Sequence, residues 1–326
     1  MKVYIYPTYT PSRDKSGNLY IKYFHDAFHQ DRFFSVKNRL WQIGITSLLF
    51  NLDADVFVIQ WVDLIPFKKF GKIQFVIFLI LIKLLSCIKS KRIVWILHNK
   101  HAHNGKSKLV DYGMNFIAKY AYCVVTHSDE GVTFFNERYP QYKRKCHYIP
   151  HPVYSLDTIQ PSEKQWDYII WGGISRRKRI VEFLNFAKES SYFDDKKILI
   201  CGNCSDKRYD EEIKKLLWDN VTYINRFVAD AELRDLICKS GCILFTYNVD
   251  SLLSSGALIY SLNFCKPIIG PNSGNFYDLK GIVSCYDGFE DIPSLTTIDN
   301  TELIRKYIID NTWAQFPDKL RTIIDI

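Results

Sequence analysis

Short apolar runs alternate along the chain with longer segments in which apolar residues recur at helical spacing. Five runs in the first half are typical of buried strands: Val3–Tyr6, Val56–Gln60, Ile93–Leu97, Tyr122–Thr126 and Cys146–Ile149. Four segments between them are typical of helices: Asn18–Phe28, Ile73–Ile88, Asp111–Lys119 and Ser128–Tyr139. This order predicts a parallel sheet with helices on both faces.

The alternation is interrupted once and then restarts. Residues 150–165, PHPVYSLDTIQPSEKQ, are rich in proline and serine and predict a linker. Strands are expected after it at Tyr168–Trp171, Lys197–Cys201, Val221–Ile224, Cys242–Phe245, Pro267–Gly270 and Ile282–Cys285. Helices are expected at Arg179–Lys188, Tyr209–Trp218, Asp230–Ser240 and Ser255–Asn263, and in the tail Asp299–Ile326 with a break near Pro317.

The two series predict an α/β chain of two doubly wound, Rossmann-like domains. We expect an N-terminal domain over residues 1–152, a linker over 153–165, a C-terminal domain over 166–303 and terminal helices over 304–326. Such sheets bind ligands at the carboxyl ends of their strands. A ligand is therefore expected in a cleft where the two domains face each other.

Composition agrees with a folded protein of this size and narrows its chemistry. The chain has 326 residues, of which 47% are hydrophobic and 24% charged, and its net charge of +8 favours an anionic partner. Its nine cysteines include one CxxC pair, Cys201 and Cys204, at a strand end. No second pair or histidines stand at zinc-binding spacing, so the cysteines are interpreted as reduced structural thiols of a cytosolic protein, and no metal is expected.

The most apolar stretch, Phe75–Ile88, is too short to span a membrane and carries Lys83. Basic residues cluster through the surrounding region 68–92. Two interpretations stay open: a helix that rests on an anionic membrane surface, or an ordinary helix that covers the sheet. The N-terminal residues MKVYIYPTY have the pattern of a strand rather than of a signal peptide.

The segment WGGISRRKRI, residues 171–180, follows the first strand of the second half and is expected to open a helix. Gly172 and Gly173 allow the backbone to approach a ligand closely, and Arg176, Arg177 and Lys178 add positive charge. Cations are unfavourable at the start of a helix. Their presence predicts a diphosphate site, the alternative being a solvated basic turn.

A second segment, residues 250–271, places Ser254, Ser255 and Gly256 before an apolar helix. Small residues there leave backbone amides and two hydroxyls for a phosphate, although a plain helix cap needs the same residues. Asp250 lies at the start of this segment and is a candidate for contacting a sugar.

Polar residues also follow two strands of the first half. VWILHNKHAHNG, residues 94–105, carries His98, Asn99, His101 and His103 at a strand end. A metal cluster is disfavoured because no carboxylate or thiolate stands nearby. His98 or His103 is the preferred catalytic base, Asn99 and His101 would contact a sugar, and a structural role for each stays open.

Two further residues are weaker candidates for the same chemistry. His127 follows the strand Tyr122–Thr126, just before a helix that Ser128 or Asp129 would cap. Asp14 lies in the loop after the first strand, where the simpler interpretation is a surface residue.

Taken in this order, the segments resemble glycosyltransferases of the GT-B fold, in particular the family 4-like enzymes of bacterial capsule, O-antigen and exopolysaccharide synthesis. HNKHAH is similar to the family's His-Asn-x-x-Pro-His at His98, Asn99 and His103. GGISRRK is similar to its Gly-Arg-x-Ser-x-x-Lys loop, with Lys178 at the family lysine and Gly173 at the arginine. SSGALIYSLNFCKPIIGP is similar to the helix that ends in Gly-Lys-Pro-Val-Ile.

The resemblance covers nearly the whole chain. It implies a hexosyltransferase that takes a nucleotide-diphosphate sugar on its C-terminal domain, with terminal helices that cross back onto the N-terminal domain. A lipid-linked saccharide would be the acceptor, and the enzyme would be peripheral on the cytoplasmic face of the membrane, attached through residues 68–92. No cofactor is implied, because arginine and lysine can neutralise the leaving diphosphate without a metal.

Other functions stay open at this point. The places where family members often carry two glutamates hold Leu252 and Tyr260, which favours a non-catalytic sugar-nucleotide binder or partner subunit. A nucleotide-sugar epimerase of the same fold would bind the same donor without an acceptor. Nucleic acid is not expected as a partner, because the basic residues form no continuous stripe.

Overall fold

In a computed structural model the chain forms two compact units, Met1–Val153 with Asn311–Ile326 and Tyr154–Asp310. The structure describes residues 1–9, 19–36, 44–100, 107–153, 162–250, 252–295 and 300–325. Asp14, His101, His103 and much of the expected linker lie outside these residues, so their predictions stay untested.

The first unit is a parallel sheet of six strands in the order β2-β1-β3-β4-β5-β6. Its strands are β1 (Lys2–Tyr6), β2 (Ser35–Val36), β3 (Val56–Gln60), β4 (Arg92–Leu97), β5 (Cys123–Thr126) and β6 (Cys146–Tyr148). The helices of its N-terminal part are α1 (Leu19–Gln30), α2 (Gly71–Ser86), α3 (Lys108–Tyr120) and α4 (Asp129–Arg138). β3 and β5 are buried along their whole length, which explains why they read as unbroken apolar runs.

The second unit is also a parallel sheet of six strands, in the order β12-β11-β10-β7-β8-β9. Its strands are β7 (Trp166–Trp171), β8 (Ile198–Cys201), β9 (Val221–Ile224), β10 (Ser240–Leu244), β11 (Ile268–Pro271) and β12 (Ser284–Tyr286). Its helices are α5 (Ile180–Glu189), α6 (Lys207–Lys214), α7 (Asp230–Cys238), α8 (Gly256–Leu262), α9 (Asn275–Asp278) and α10 (Thr301–Asp310). The strand order reverses at β7, so the chain leaves this strand at the point where doubly wound sheets bind ligands.

The C-terminal residues return to the first unit. The amide of Val153 donates to the carbonyl of Asn311 over 2.7 Å, and the last helix, α11 (Phe316–Ile323), packs on α1 through Phe316, whose ring centroid is 5.1 Å from that of Phe24. The segment that belongs to the first unit is shorter than the predicted terminal segment 304–326. It begins at Asn311, because α10 lies in the second unit. The break between the two helices precedes Pro317, which lies in the first turn of α11, where its missing N–H leaves no helical hydrogen bond unmade.

Candidate functional site

The basic segment that was predicted to bind a diphosphate follows β7 directly. Gly172 has a φ of +90°, a left-handed conformation that favours glycine, and Arg176–Lys178 form one turn of 3-10 helix. Arg179 has a φ of 50° and α5 begins only at Ile180. The expectation that the basic residues open the helix is therefore corrected: they form a separate turn before it.

Lys178 is buried although it carries a charge. Only 5% of its surface is exposed, and its ammonium group folds back to donate a hydrogen bond to the carbonyl of Trp171 at the end of β7. Burial, with a smaller contribution from Arg177, lowers the pKa of the Lys178 ammonium to about 7. Within the described part of the chain, no carboxylate lies at ion-pair distance from it.

The loop after β10 holds this turn in place. The amide of Asn248 donates to the carbonyl of Arg177 over 2.8 Å, and the hydroxyl of Thr246 donates to the carbonyl of Lys178. The buried ring of Tyr247 lies between them, with its centroid 5.4 Å from the guanidinium carbon of Arg177 and 5.7 Å from the Lys178 nitrogen. Both cations thus lie within cation–π distance of one aromatic ring, an arrangement that stabilises positive charge without neutralising it.

Arg176 has a different environment from its neighbours. Its guanidinium donates to both carboxylate oxygens of Glu212, over 2.9 and 2.8 Å, and lies 3.4 Å from Asp206. The predicted role of Arg176 in phosphate binding is therefore disfavoured, because two carboxylates already compensate its charge. Among the residues that the structure describes, Arg177 has no such partner, so the uncompensated charge of the turn comes from Arg177 and Lys178.

The start of α8 is connected to the basic turn by Tyr247. The side chain of Tyr247, which lies beside Arg177 and Lys178, is hydrogen-bonded to Ser255. Ser255 caps the helix by accepting from the amide of Leu258 over 3.2 Å, so the plain-cap interpretation accounts for this hydroxyl. Ser254 accepts a long hydrogen bond of 3.4 Å from Asn275, and Gly256 is exposed at the first position of the helix. Asp250 lies exposed on the loop between β10 and α8.

Close backbone packing supports this edge of the sheet. A Cβ atom on Gly202, after β8, would lie 2.2 Å from the carbonyl oxygen of Gly172, whereas one on Gly173 would meet no atom within 4 Å. Gly202 is therefore required by the approach of two chain segments, while Gly173 borders open space. Cys201 and Cys204 lie at the same strand end as free, buried thiols, and in the described ranges no group of three metal-binding side chains is found.

The first unit contains a separate cluster of polar side chains at the carboxyl ends of β3 and β4. One ring nitrogen of His98, Nε2, lies 2.9 Å from Gln60 Oε1, and the imidazole stacks on Trp61 at a centroid distance of 4.4 Å. The amide of Asn99 donates to Asp63 over 3.4 Å. Burial raises the pKa of the Asp63 carboxyl to about 6. Asp63 was not predicted as a site residue from the sequence. The only feature that could have indicated it is its position just after the strand VFVIQ.

His127 lies deeper than predicted. Its Nδ1 is 2.8 Å from the carbonyl of Ile149, and its Nε2 is 2.9 Å from the hydroxyl of Tyr20. A carbonyl can only accept, so Nδ1 carries the proton and Nε2 accepts from Tyr20. Burial also lowers the pKa of His127 to about 4. Because both nitrogens are engaged inside the core, the geometry favours a structural role for His127 over the predicted catalytic one.

The outer face of α2 is apolar and exposed. Its inner face packs into the unit through residues such as Phe75, Phe78 and Ile82. The exposed apolar residues of this helix and its flanks are Phe67, Phe70, Ile73, Val76, Ile80, Leu84 and Ile88, which we call the α2 face. Between residues 64 and 92 the sequence contains five lysines at exposed positions and no aspartate or glutamate. None of the helices described is long and apolar enough to cross a membrane.

Comparison with solved structures identifies the fold. HepE of Anabaena in complex with UDP and glucose matches 100% of this chain and 97% of its own, with a TM-score of 0.60 and 14% identity. A glycosyltransferase from Rickettsia africae matches 99% and 98%, with a TM-score of 0.61 and 12% identity. The N-terminal domain of trehalose-6-phosphate phosphatase from Candida albicans matches 99% and 96%, with a TM-score of 0.67 and 10% identity.

At these identities the likeness shows the fold and not the reaction. No protein-family model matches the chain, and no curated protein matches its sequence. The two parallel six-stranded sheets with their helices are those of the GT-B fold, which confirms the predicted α/β fold class.

Proposed function

We propose that the chain is a glycosyltransferase that takes its sugar from a nucleoside-diphosphate donor, and that Arg177 and Lys178 bind the diphosphate. The observation that carries this proposal is the buried, uncompensated positive charge at the end of β7. A buried ammonium without a carboxylate is unfavourable unless an anion completes the site. The fold adds support, because structures that share it include complexes with UDP and with UDP-glucose.

In the proposed reaction the bond between the anomeric carbon and the leaving phosphate oxygen breaks as the acceptor oxygen attacks that carbon. The diphosphate leaves with the bonding electron pair, and its growing negative charge lies against Arg177 and Lys178. Such prearranged charge lowers the barrier more than it lowers the energy of the bound donor. In this proposal the two side chains supply the positive charge that a metal ion would otherwise bring.

We propose further that the acceptor is a lipid-linked saccharide of surface polysaccharide synthesis and that the enzyme works on the inner surface of the cell membrane. The α2 face supports this: its apolar side chains suit the acyl boundary of a bilayer, and the surrounding lysines suit anionic headgroups. Hexose is the sugar class implied by the resemblance to family 4-like enzymes.

The test is turnover of UDP-, GDP- and dTDP-hexoses with membrane-lipid extracts as acceptor source, read as release of nucleoside diphosphate and transfer of label to lipid. Both should occur, and both should be lost in Lys178→Met. Binding of a nucleoside diphosphate without turnover would indicate the non-catalytic binder, and conversion of the sugar without any acceptor would indicate the epimerase. Absence of binding to all three nucleoside diphosphates would refute the proposal.

A further inference from the structure

A carboxylate outside the basic turn lies at the same edge of the second sheet. Asp230 is the first residue of α7 and follows the loop after β9. Its Oδ1 accepts a hydrogen bond of 2.6 Å from the hydroxyl of Tyr260, and its Oδ2 lies 2.8 Å from Nε of Arg234. The two donors fix one oxygen each, and 50% of the side chain is exposed. Because a carboxylate offers about four acceptor positions, this one keeps capacity for further hydroxyl groups.

Direct contacts connect this carboxylate to the basic turn. Tyr260 lies in α8 and is only 5% exposed, and its ring packs edge-on against the indole of Trp171 at a centroid distance of 5.4 Å. Trp171 is itself fixed, since its indole N–H donates to the hydroxyl of Ser261 over 3.2 Å. The carbonyl of Trp171 accepts the hydrogen bond from the Lys178 ammonium. Buried groups therefore hold Asp230 in a defined position relative to Lys178.

The end of β8 places the start of α7 near the basic turn by a second route. Burial raises the pKa of the Cys201 thiol to about 11, and the charges of Lys178, Glu232 and Arg226 also influence it. Interactions between charges are largely screened beyond roughly 10 Å at physiological salt. Glu232 belongs to the first turn of α7, as Asp230 does. The basic turn and the start of α7 thus both lie close to the end of one strand.

This spacing suits a nucleotide whose phosphates lie on the basic turn. The ribose is bonded to the diphosphate through its 5′ carbon, so its 2′ and 3′ hydroxyls lie only a few bonds away. In doubly wound sheets a carboxylate accepts hydrogen bonds from such hydroxyls. Glu232 is less suited than Asp230, because both of its oxygens accept from the guanidinium of Arg226, over 2.8 and 2.5 Å.

We propose that Asp230 accepts hydrogen bonds from the ribose hydroxyls of the donor, so that the site selects a ribonucleoside diphosphate. This proposal rests on the proposed glycosyltransferase function, because it extends the site formed by Arg177 and Lys178. Every residue that it uses belongs to the second unit. Tyr260 and Arg234 are positioning residues, since they hold the carboxylate that would contact the ligand.

The experiment measures, by calorimetry, the affinities of UDP, GDP, their 2′,3′-dideoxy forms and inorganic diphosphate. Asp230→Ala is compared with the wild type and with the control Asp235→Ala, whose carboxylate lies on the same helix, is 49% exposed and pairs with Lys239 over 2.7 Å. The wild type should bind the better of UDP and GDP at least about tenfold more tightly than its dideoxy form, because a site built around a hydroxyl rejects the analogue without it. Asp235→Ala should keep this ratio.

Asp230→Ala should bring the ratio below about threefold without weakening the dideoxy form or inorganic diphosphate, which lack the hydroxyls. If thermal melts show that Asp230→Ala does not fold, Asp230→Asn takes its place, and its ratio should fall at least about threefold because the acceptor is no longer charged.

Three results would overturn the assignment. The first is a wild-type ratio below about threefold. The second is an unchanged ratio in the folded Asp230 variant, which would mean that the carboxylate serves only to pair the Tyr260 hydroxyl. The third is an equal loss of affinity for the nucleoside diphosphate and for inorganic diphosphate, which would mean that Asp230 supports the phosphate site instead. If the wild type binds no nucleoside diphosphate, the proposed function fails first, which the same titrations reveal.

Discussion

Replacement of Lys178 by methionine tests the electrostatic core of the proposed function. The ammonium is buried against the carbonyl of Trp171, and its pKa is about 7 in place of 10.5. At about 1.36 kcal/mol for each tenfold change in acidity, the buried charge is disfavoured by about 5 kcal/mol. A bound diphosphate would return the ammonium to its charged form and recover part of this free energy.

This arrangement couples ligand binding to proton uptake. With a pKa of about 7, Lys178 is mostly uncharged in the free protein at pH 8, so binding of UDP should take up a large part of one proton. UDP affinity should then fall about tenfold between pH 8 and pH 9. In this range the terminal phosphate of UDP, whose last pKa is near 6, is already ionised and does not contribute.

The assay is calorimetric titration of UDP at pH 8 in two buffers of different ionisation enthalpy, with Lys178→Met and Arg177→Met compared with the wild type. Lys178→Met should abolish proton uptake and weaken binding at least tenfold, about 1.4 kcal/mol. Arg177→Met should weaken binding yet keep most of the uptake. If the wild type binds UDP with equal affinity at pH 8 and pH 9, takes up no proton, and is matched in affinity by Lys178→Met, Lys178 does not contact the diphosphate.

The same substitution has an opposite effect on stability. The unfolded chain binds a proton on this lysine up to about pH 10.5 and the folded chain only up to about pH 7. The unfolded state therefore holds more protons between these values, and the stability of the wild type should rise with pH across this window. Lys178→Met removes the penalty and should raise the free energy of unfolding at pH 7, on the scale of about 1–4 kcal/mol seen when buried charges are replaced by apolar groups. Thermal melts at pH 7 and pH 9 would measure the difference.

Three other predictions follow from the contacts described above. Arg177→Ala should weaken UDP binding at least tenfold, about 1.4 kcal/mol, whereas Arg176→Ala should change it less than threefold because carboxylates already pair that guanidinium; equal losses in calorimetry would contradict this. Ile80→Glu, which places a negative charge in the α2 face, should reduce co-sedimentation with vesicles containing 30% anionic lipid at least threefold, and unchanged binding would exclude this face as the contact. Gly202→Ala should lower the free energy of unfolding by at least about 2 kcal/mol, since the added methyl group meets a carbonyl oxygen, while Gly173→Ala should be tolerated in the same melts.

Much of the fold was predictable because the parallel strands are buried on both faces. Runs such as Val56–Gln60 therefore contain almost no polar residue and stand out in the sequence. β2 and α9 were missed, because a two-residue edge strand and a four-residue helix are too short to show a period. The 3-10 segment Val62–Phe67 was missed for another reason: apart from Asp63 it is apolar, and its apolar residues show no helical periodicity.

The candidate diphosphate site could be predicted only as far as the local sequence indicates an anion. Three cations after a glycine pair indicate an anion site from the sequence, but the pairing of Arg176 with Glu212, 36 residues away, is decided by tertiary structure. Asp63 was missed for the same reason, since its burial depends on how the connection after β3 folds over the sheet. The lipid-linked acceptor, the membrane surface and the absence of a metal remain predictions.

The contrast between Arg176 and Lys178 explains why the turn is built as it is. Both side chains belong to one turn of helix, yet the first is exposed and held by two carboxylates, and the second is buried without one. A surface ion pair contributes little to stability, about 0–1 kcal/mol, but it can fix the orientation of the turn. The buried ammonium, which destabilises the free protein, is then already desolvated and positioned when an anion arrives. We infer that the paired arginine orients the turn and that the unpaired lysine binds the anion, so removal of Glu212 should weaken UDP binding indirectly and far less than removal of Lys178.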